Sequence, residues 1–249
     1  MEFKSGPIQI SIGLKPRDAA ADRNTLTMIQ AKMTAGDIEA AVAMGEAALA
    51  DGLEHPLTFN LAAGRLESED RFGEALALLE RGHRQTPADL GLRQALALCL
   101  FRLQRFAAAL PHFDAIVAAQ PSFAPAHAAR GAILEQIDRL KEAEDAYRRA
   151  YDLQPDNLLA LSGLASTASR AGRNAEAREL AEKVLAGEPG YPDAVVVLAR
   201  ADLAEGYYAE GEKRLQALIV DPRVPPAVRD VVKTLLGEID VAKSRKFDA

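Results

Sequence analysis

The stretch APAHAARGAILEQIDRLKEAEDAYRRAYDLQPDN, residues 124–157, holds two apolar stripes separated by a polar break. Ala128, Gly131, Leu134 and Ile137 recur every third residue, the spacing of one face of a first helix. Leu140, Ala143, Tyr147, Ala150 and Tyr151 mark the inner face of a second. Asp138 lies between them, where a helix end needs a left-handed cap or a polar turn. Pro155 follows the second stripe; it cannot donate an amide to the preceding turn and disfavours helical backbone just before it.

The same pattern recurs along the chain. Pro87, Pro121, Pro155 and Pro189 are each 34 residues apart. Ala41, Ala75, Ala109, Ala143, Ala177 and Gly211 keep that period, as do Ile29, Ala63, Ala97, Gly131, Ala165 and Ala199. Two helices joined by a short turn must cross closely, and small residues at fixed places let them do so. The break is occupied in turn by Gly36, Asp70, Gln104, Asp138, Gly172 and Gly206. Six units therefore begin near Asp22, Pro56, Leu90, Ala124, Leu158 and Pro192.

Units of 34 residues, with small residues at the crossings, Leu79, Phe113, Tyr147 or Leu215 four places after the alanine register, and a closing proline resemble tetratricopeptide repeats. The resemblance covers about Asp22 to Pro222 and is strongest in the middle. The first unit has Leu53 in place of the proline, the last has Pro222 one place early, and only Phe59 supplies the large aromatic that often opens the motif. Edge units deviate because one of their faces meets solvent. What the resemblance implies is an all-α fold: a right-handed α-solenoid of about six repeats over residues 22–222, preceded by an extended arm over 1–21 and followed by a C-terminal helix over 223–249. In the arm, Ile8, Ile10 and Ile12 alternate with polar residues as in a short strand. After Pro225 and Pro226, Val228, Val231, Val232, Leu235, Leu236 and Ile239 form one stripe, and Lys246 and Phe247 resemble the opening of a second helix in a truncated seventh repeat.

Composition narrows the function. A formal charge of −6, spread through mixed-sign runs such as Arg139 to Arg149, makes no field for nucleic acid. Cys99 is the one cysteine, which excludes an internal disulfide and suits a reducing, cytoplasmic setting. No apolar run approaches the ~20 residues of a membrane span. His55, His83, His112 and His127 lack the spacing of a metal pair on one helix face. No phosphate loop, serine elbow or dinucleotide fingerprint is present, so neither catalysis nor a cofactor is expected.

The resemblance also implies which side chains line the concave wall: one face of each first helix. These are Leu26, Gln30 and Met33; Asn60, Gly64 and Glu67; Gln94, Leu98, Phe101 and Arg102; Ala128, Ala132 and Glu135; Ser162, Ser166, Ser169 and Arg170; and Val196, Arg200 and Leu203. Among them Asn60 and Gln94 can bond a peptide backbone, Leu98 and Phe101 can take an apolar side chain as an exposed pair, and Arg102, Arg170 and Arg200 can pair with carboxylates, with Ser166 beside them. The expected partner is a protein or peptide, and the expected role an interaction scaffold. Of the Lys, Asn and Arg clamp with which related domains grip chaperone C-termini, only Asn60 has a suitable type. Two alternatives stand beside the scaffold. Ala175 to Lys183 and Gly190 to Ala194 resemble the repeat region of bacterial tetratricopeptide sulfotransferases, whose catalytic domain would lie beyond Ala249. A terminal helix or the Ile8 to Ile12 strand could instead meet a second copy in a homo-oligomer.

Overall fold

The computed structural model describes residues 18–247, and the Ile8 to Ile12 strand expectation lies outside them. Among the described residues there are thirteen helices and no strand. They are α1 (Ala19–Thr34), α2 (Ile38–Ala50), α3 (Pro56–Ser68), α4 (Phe72–Gln85), α5 (Leu90–Arg102), α6 (Phe106–Ala119), α7 (Ala124–Gln136), α8 (Leu140–Leu153), α9 (Leu158–Arg170), α10 (Asn174–Gly187), α11 (Pro192–Glu205), α12 (Tyr208–Ile219) and α13 (Pro226–Phe247). None is long and apolar enough to cross a membrane.

All six expected break residues have left-handed backbone, with φ of 77° at Gly36, 59° at Asp70, 56° at Gln104, 60° at Asp138, 74° at Gly172 and 83° at Gly206. In every case the next amide reaches back five residues, as Arg139 N–H does to the Leu134 carbonyl at 2.9 Å and Tyr207 N–H to Asp202 at 2.8 Å. This Schellman closure satisfies carbonyls the helix end would otherwise orphan. The proline register works by a different device. Thr86, Gln120, Gln154 and Glu188 each follow a second helix and precede the proline, and their φ values of −130°, −132°, −146° and −134° are the extended backbone a following proline imposes. The first unit, which lacks the proline, stops α2 with Gly52 at φ 87° and a Leu53 N–H bond to the Ala48 carbonyl. Leu53 itself is buried, so the departure from the pattern has a packing role.

The described residues form two compact units, divided between Leu92 and Arg93. In the first, α2 packs on α1 and α3, and α4 on α3. Helix α1 begins at Ala19, inside the expected arm, because the Asp18 carboxylate accepts the Ala20 amide at 2.9 Å and caps it. In the second unit each helix from α6 to α12 packs on its successor, and α7, α9, α11 and α13 also stack on one another as an inner layer. Helix α13 thus occupies the place of a further first helix, burying Val232, Leu235 and Ile239 with Leu215 and Leu218 of α12. It runs unbroken through Lys246 and Phe247, so the second-helix opening read there is instead its last turn.

Small residues do sit at the crossings. Ala41, Ala75, Ala109, Ala143 and Ala177 are fully buried, and a Cβ on Gly211 would stand 3.4 Å from the Ala199 carbonyl, the other small register. The large residue four places on fills the space so framed. Tyr147 lies against two glycines: a Cβ on Gly131 would come 2.7 Å from its ring, and one on Gly163 2.2 Å.

Ala143→Leu is expected to lower stability by about 1–3 kcal/mol in chemical denaturation, because the crossing has no room for the added bulk. The glycines separate into two kinds. Gly163→Ala should destabilise by a similar ~1–3 kcal/mol through the Tyr147 ring, whereas Gly64→Ala, on an exposed helix interior with nothing near its absent Cβ, should stabilise by about 0.5–1 kcal/mol.

Candidate functional site

The inner layer of the second unit encloses a cavity of about 620 Å³. Ala132 and Glu135 of α7, Ser162, Ser166, Ser169 and Arg170 of α9, Asp193, Val196, Val197 and Arg200 of α11, and Val228 and Val231 of α13 line it, with Phe101 at one side. These positions recur at spacings of three, four and seven, so each helix presents one face.

Glu135 ties three helices together. Its carboxylate accepts the Ser166 hydroxyl at 2.5 Å and the Tyr147 phenol at 3.0 Å, and Arg170 lies 3.9 Å away. Arg170 donates its shorter bond, 2.6 Å, to Asp138. Burial pushes the Tyr147 phenol well above its ordinary pKa, and the Glu135 charge adds to the effect, so Tyr147 keeps the proton it donates to Glu135. Tyr191, beside the cavity, is raised for the same first reason and then by Asp193. Helix α11 is held from outside by the Asp202 carboxylate, 3% exposed, which accepts Arg178 of α10 at 2.8 Å and Arg214 of α12 at 2.9 Å. Both arginines keep part of their surface in water, which limits the desolvation of the triad.

Asp193 differs from the other carboxylates. It is exposed by area at the cavity mouth, yet the walls thin its hydration enough to raise its pKa, with the Glu135 charge as the second cause. It makes no hydrogen bond or ion pair among the described residues.

Of the residues read from sequence, the cavity gathers Phe101, Ser166, Arg170 and Arg200. Gln94, Leu98 and Arg102 lie on α5 in the same unit and are not among its walls; Leu98 is 41% exposed. Phe101 is half-buried rather than exposed, because its ring packs edge-on against Phe106 with centroids 5.3 Å apart. Ala128 leaves the expected wall altogether, packing with Ala150 and Ala160 in the core. Asn60 belongs to the first unit, where its side-chain oxygen is buried without a partner. Asp193, Val228 and Val231 were missed. Asp193 precedes Val196 by one turn and Arg200 by two on the same face, a signal the heptad spacing carries, but the place of α13 as a wall follows only from its stacking on α11.

An inner layer of first helices around a concave cavity, backed by second helices, defines a helical-repeat protein of the kind that mediates protein–protein interaction. Tetratricopeptide repeat signatures match residues 66–133 and 168–233, and a second such signature matches residues 124–157. The chain belongs to the tetratricopeptide repeat family, and its fold is the all-α repeat solenoid of that family. RNA polymerase II-associated protein 3 of Homo sapiens is 24% identical over 151 residues, 61% of this chain and 21% of the human protein, so the chain spans about a fifth of that relative. Among solved structures, a tetratricopeptide repeat protein from Parabacteroides merdae superposes with a TM-score of 0.67 at 16% identity, covering 92% of this chain and 89% of that one. YrrB, described as a repeat protein with an unusual peptide-binding site, gives 0.55 at 16% identity over 76% of this chain and 97% of its own. At these identities the likeness shows the fold.

A raised carboxyl pKa means that folded protein holds the Asp193 proton to higher pH than unfolded protein does. Stability is therefore lost as pH rises from the ordinary value of 3.8 through the folded value, and the deficit persists above it. Asp193→Asn removes that deficit. Its urea midpoint at pH 7 is expected to exceed that of the unaltered protein, and the gain should shrink as the pH falls through the folded value and vanish below about 3.8, where the carboxyl is neutral in both states.

Proposed function

We propose that this protein is an interaction scaffold that holds an extended segment of a partner protein in the cavity between α7, α9, α11 and α13. One observation carries the reading: the concave face is a lined cavity of about 620 Å³, within the range of ~300–1,000 Å³ typical of ligand sites, with apolar floor residues and polar groups converging on it. Val196, Val231 and the exposed side of Phe101 offer apolar contact, while Ser169 and Arg200 offer donors to a backbone or carboxylate. Tight cross-links through Glu135 and Asp202 keep the walls in place, so little ordering opposes binding. The description of YrrB as a peptide binder is in keeping with this use of a shared fold. Gln94, Leu98 and Arg102 on α5, in the same unit, extend the proposed surface beyond the cavity. In this reading the site positions a partner and performs no bond chemistry.

Ala132→Trp places a large ring in the cavity without removing a hydrogen bond. A partner captured from host lysate by the immobilised protein should bind this variant at least tenfold more weakly, while Arg149→Trp on the exposed face of α8 leaves binding unchanged. Equal losses in both variants, or in neither, would place the partner surface elsewhere.

A further inference from the structure

Four charged side chains stand in the cavity wall: Glu135, Arg170, Asp193 and Arg200. Glu135 is taken up by Ser166 and Tyr147, and Arg170 by Asp138. Asp193 and Arg200 have no hydrogen bond or ion pair among the described residues. Both lie on α11, seven residues apart, which is nearly two whole turns and about 10 Å along one face. Opposite charges at that separation are too far apart to satisfy each other. Val196 lies on the same face between them, and Val231 of α13 also lines the cavity, so the stretch separating the charges is apolar.

A ligand that fits this wall must be the mirror of it in charge. In polyproline II backbone, side chains three residues apart lie on one side of the chain and are separated by about 9 Å, which matches the distance on α11. Resting on the cavity reading proposed above, we infer that the site selects an extended peptide segment with a basic side chain and an acidic side chain three positions further along or back, the base against Asp193 and the acid against Arg200. A segment with two like charges at that spacing would bring one of them against its like, which is disfavoured when the pair is partly desolvated. Ser169, which also lines the cavity, is a hydroxyl available to the segment's backbone.

The probe is a positional library of fluorescein-labelled, end-blocked octapeptides, measured by anisotropy against the full chain. Each carries one Arg, one Glu and one Val, with the spacing and order of the charges varied. Peptides with the charges three apart should bind at least tenfold more tightly than peptides with either charge replaced by Gln. Asp193→Asn should erase the preference for Arg, and Arg200→Gln the preference for Glu. The exchange Asp193→Arg with Arg200→Glu should restore the preference for an Arg and a Glu three residues apart. If library peptides bind and Ala132→Trp abolishes that binding, but charge spacing and the two single variants make less than a twofold difference, the charge-pair inference is overturned while the cavity reading stands. If no peptide binds, or binding is indifferent to Ala132→Trp, both are overturned. Thermal melts of each variant, expected within a few degrees of the unaltered protein because both residues are exposed, keep a folding defect from imitating either result.

Discussion

Two helices joined by a turn of three residues share a face only if little side chain intervenes where they cross. The buried alanines at Ala75, Ala109, Ala143 and Ala177 meet that constraint, and Gly211 meets it where a Cβ would already stand 3.3 Å from the Asp202 Cβ and 3.4 Å from the Ala199 carbonyl. Everything else in a repeat follows from that approach. The left-handed residue at the break lets the second helix fold back at once, and the residue four places after the crossing fills the gap that opens further along. Tyr147 is the extreme case, a full ring laid between Gly131 of α7 and Gly163 of α9. Because Gly163 belongs to the next unit, one side chain couples the packing within a hairpin to the stacking of its neighbour.

The same ring connects the scaffold to the cavity. Its phenol donates to Glu135, which also holds Ser166, so the inner ends of α7, α8 and α9 share one carboxylate. The Asp202 triad performs the corresponding service for α10, α11 and α12. Helix α11 itself carries the second anchor, while its inward face carries Asp193 and Arg200 without partners among the described residues. Charges that build the wall are consumed by the wall, and those that remain are the groups with interaction energy to spare for a ligand.

Local rules acting within a few residues of each other were readable in the sequence, and these include the period, the six turn positions, the proline stops and both small registers. Each depends on backbone preferences or on the bulk of one side chain, which the residue type carries with it. Where a rule had a substitute, the sequence was ambiguous: Leu53 looked like a missing stop, whereas Gly52 beside it supplies the turn. The candidate wall was half readable. The family resemblance implied Ser166, Arg170 and Arg200 on the inward face, but it left Phe101 free and Ala128 open. Their burial depends on Phe106 and on Ala150 and Ala160, which belong to other helices. Only tertiary structure decided that Asp193 would be left unpaired and Arg170 neutralised, because whether a charge finds a partner depends on the rotation and spacing of neighbouring helices, and no residue encodes that alone.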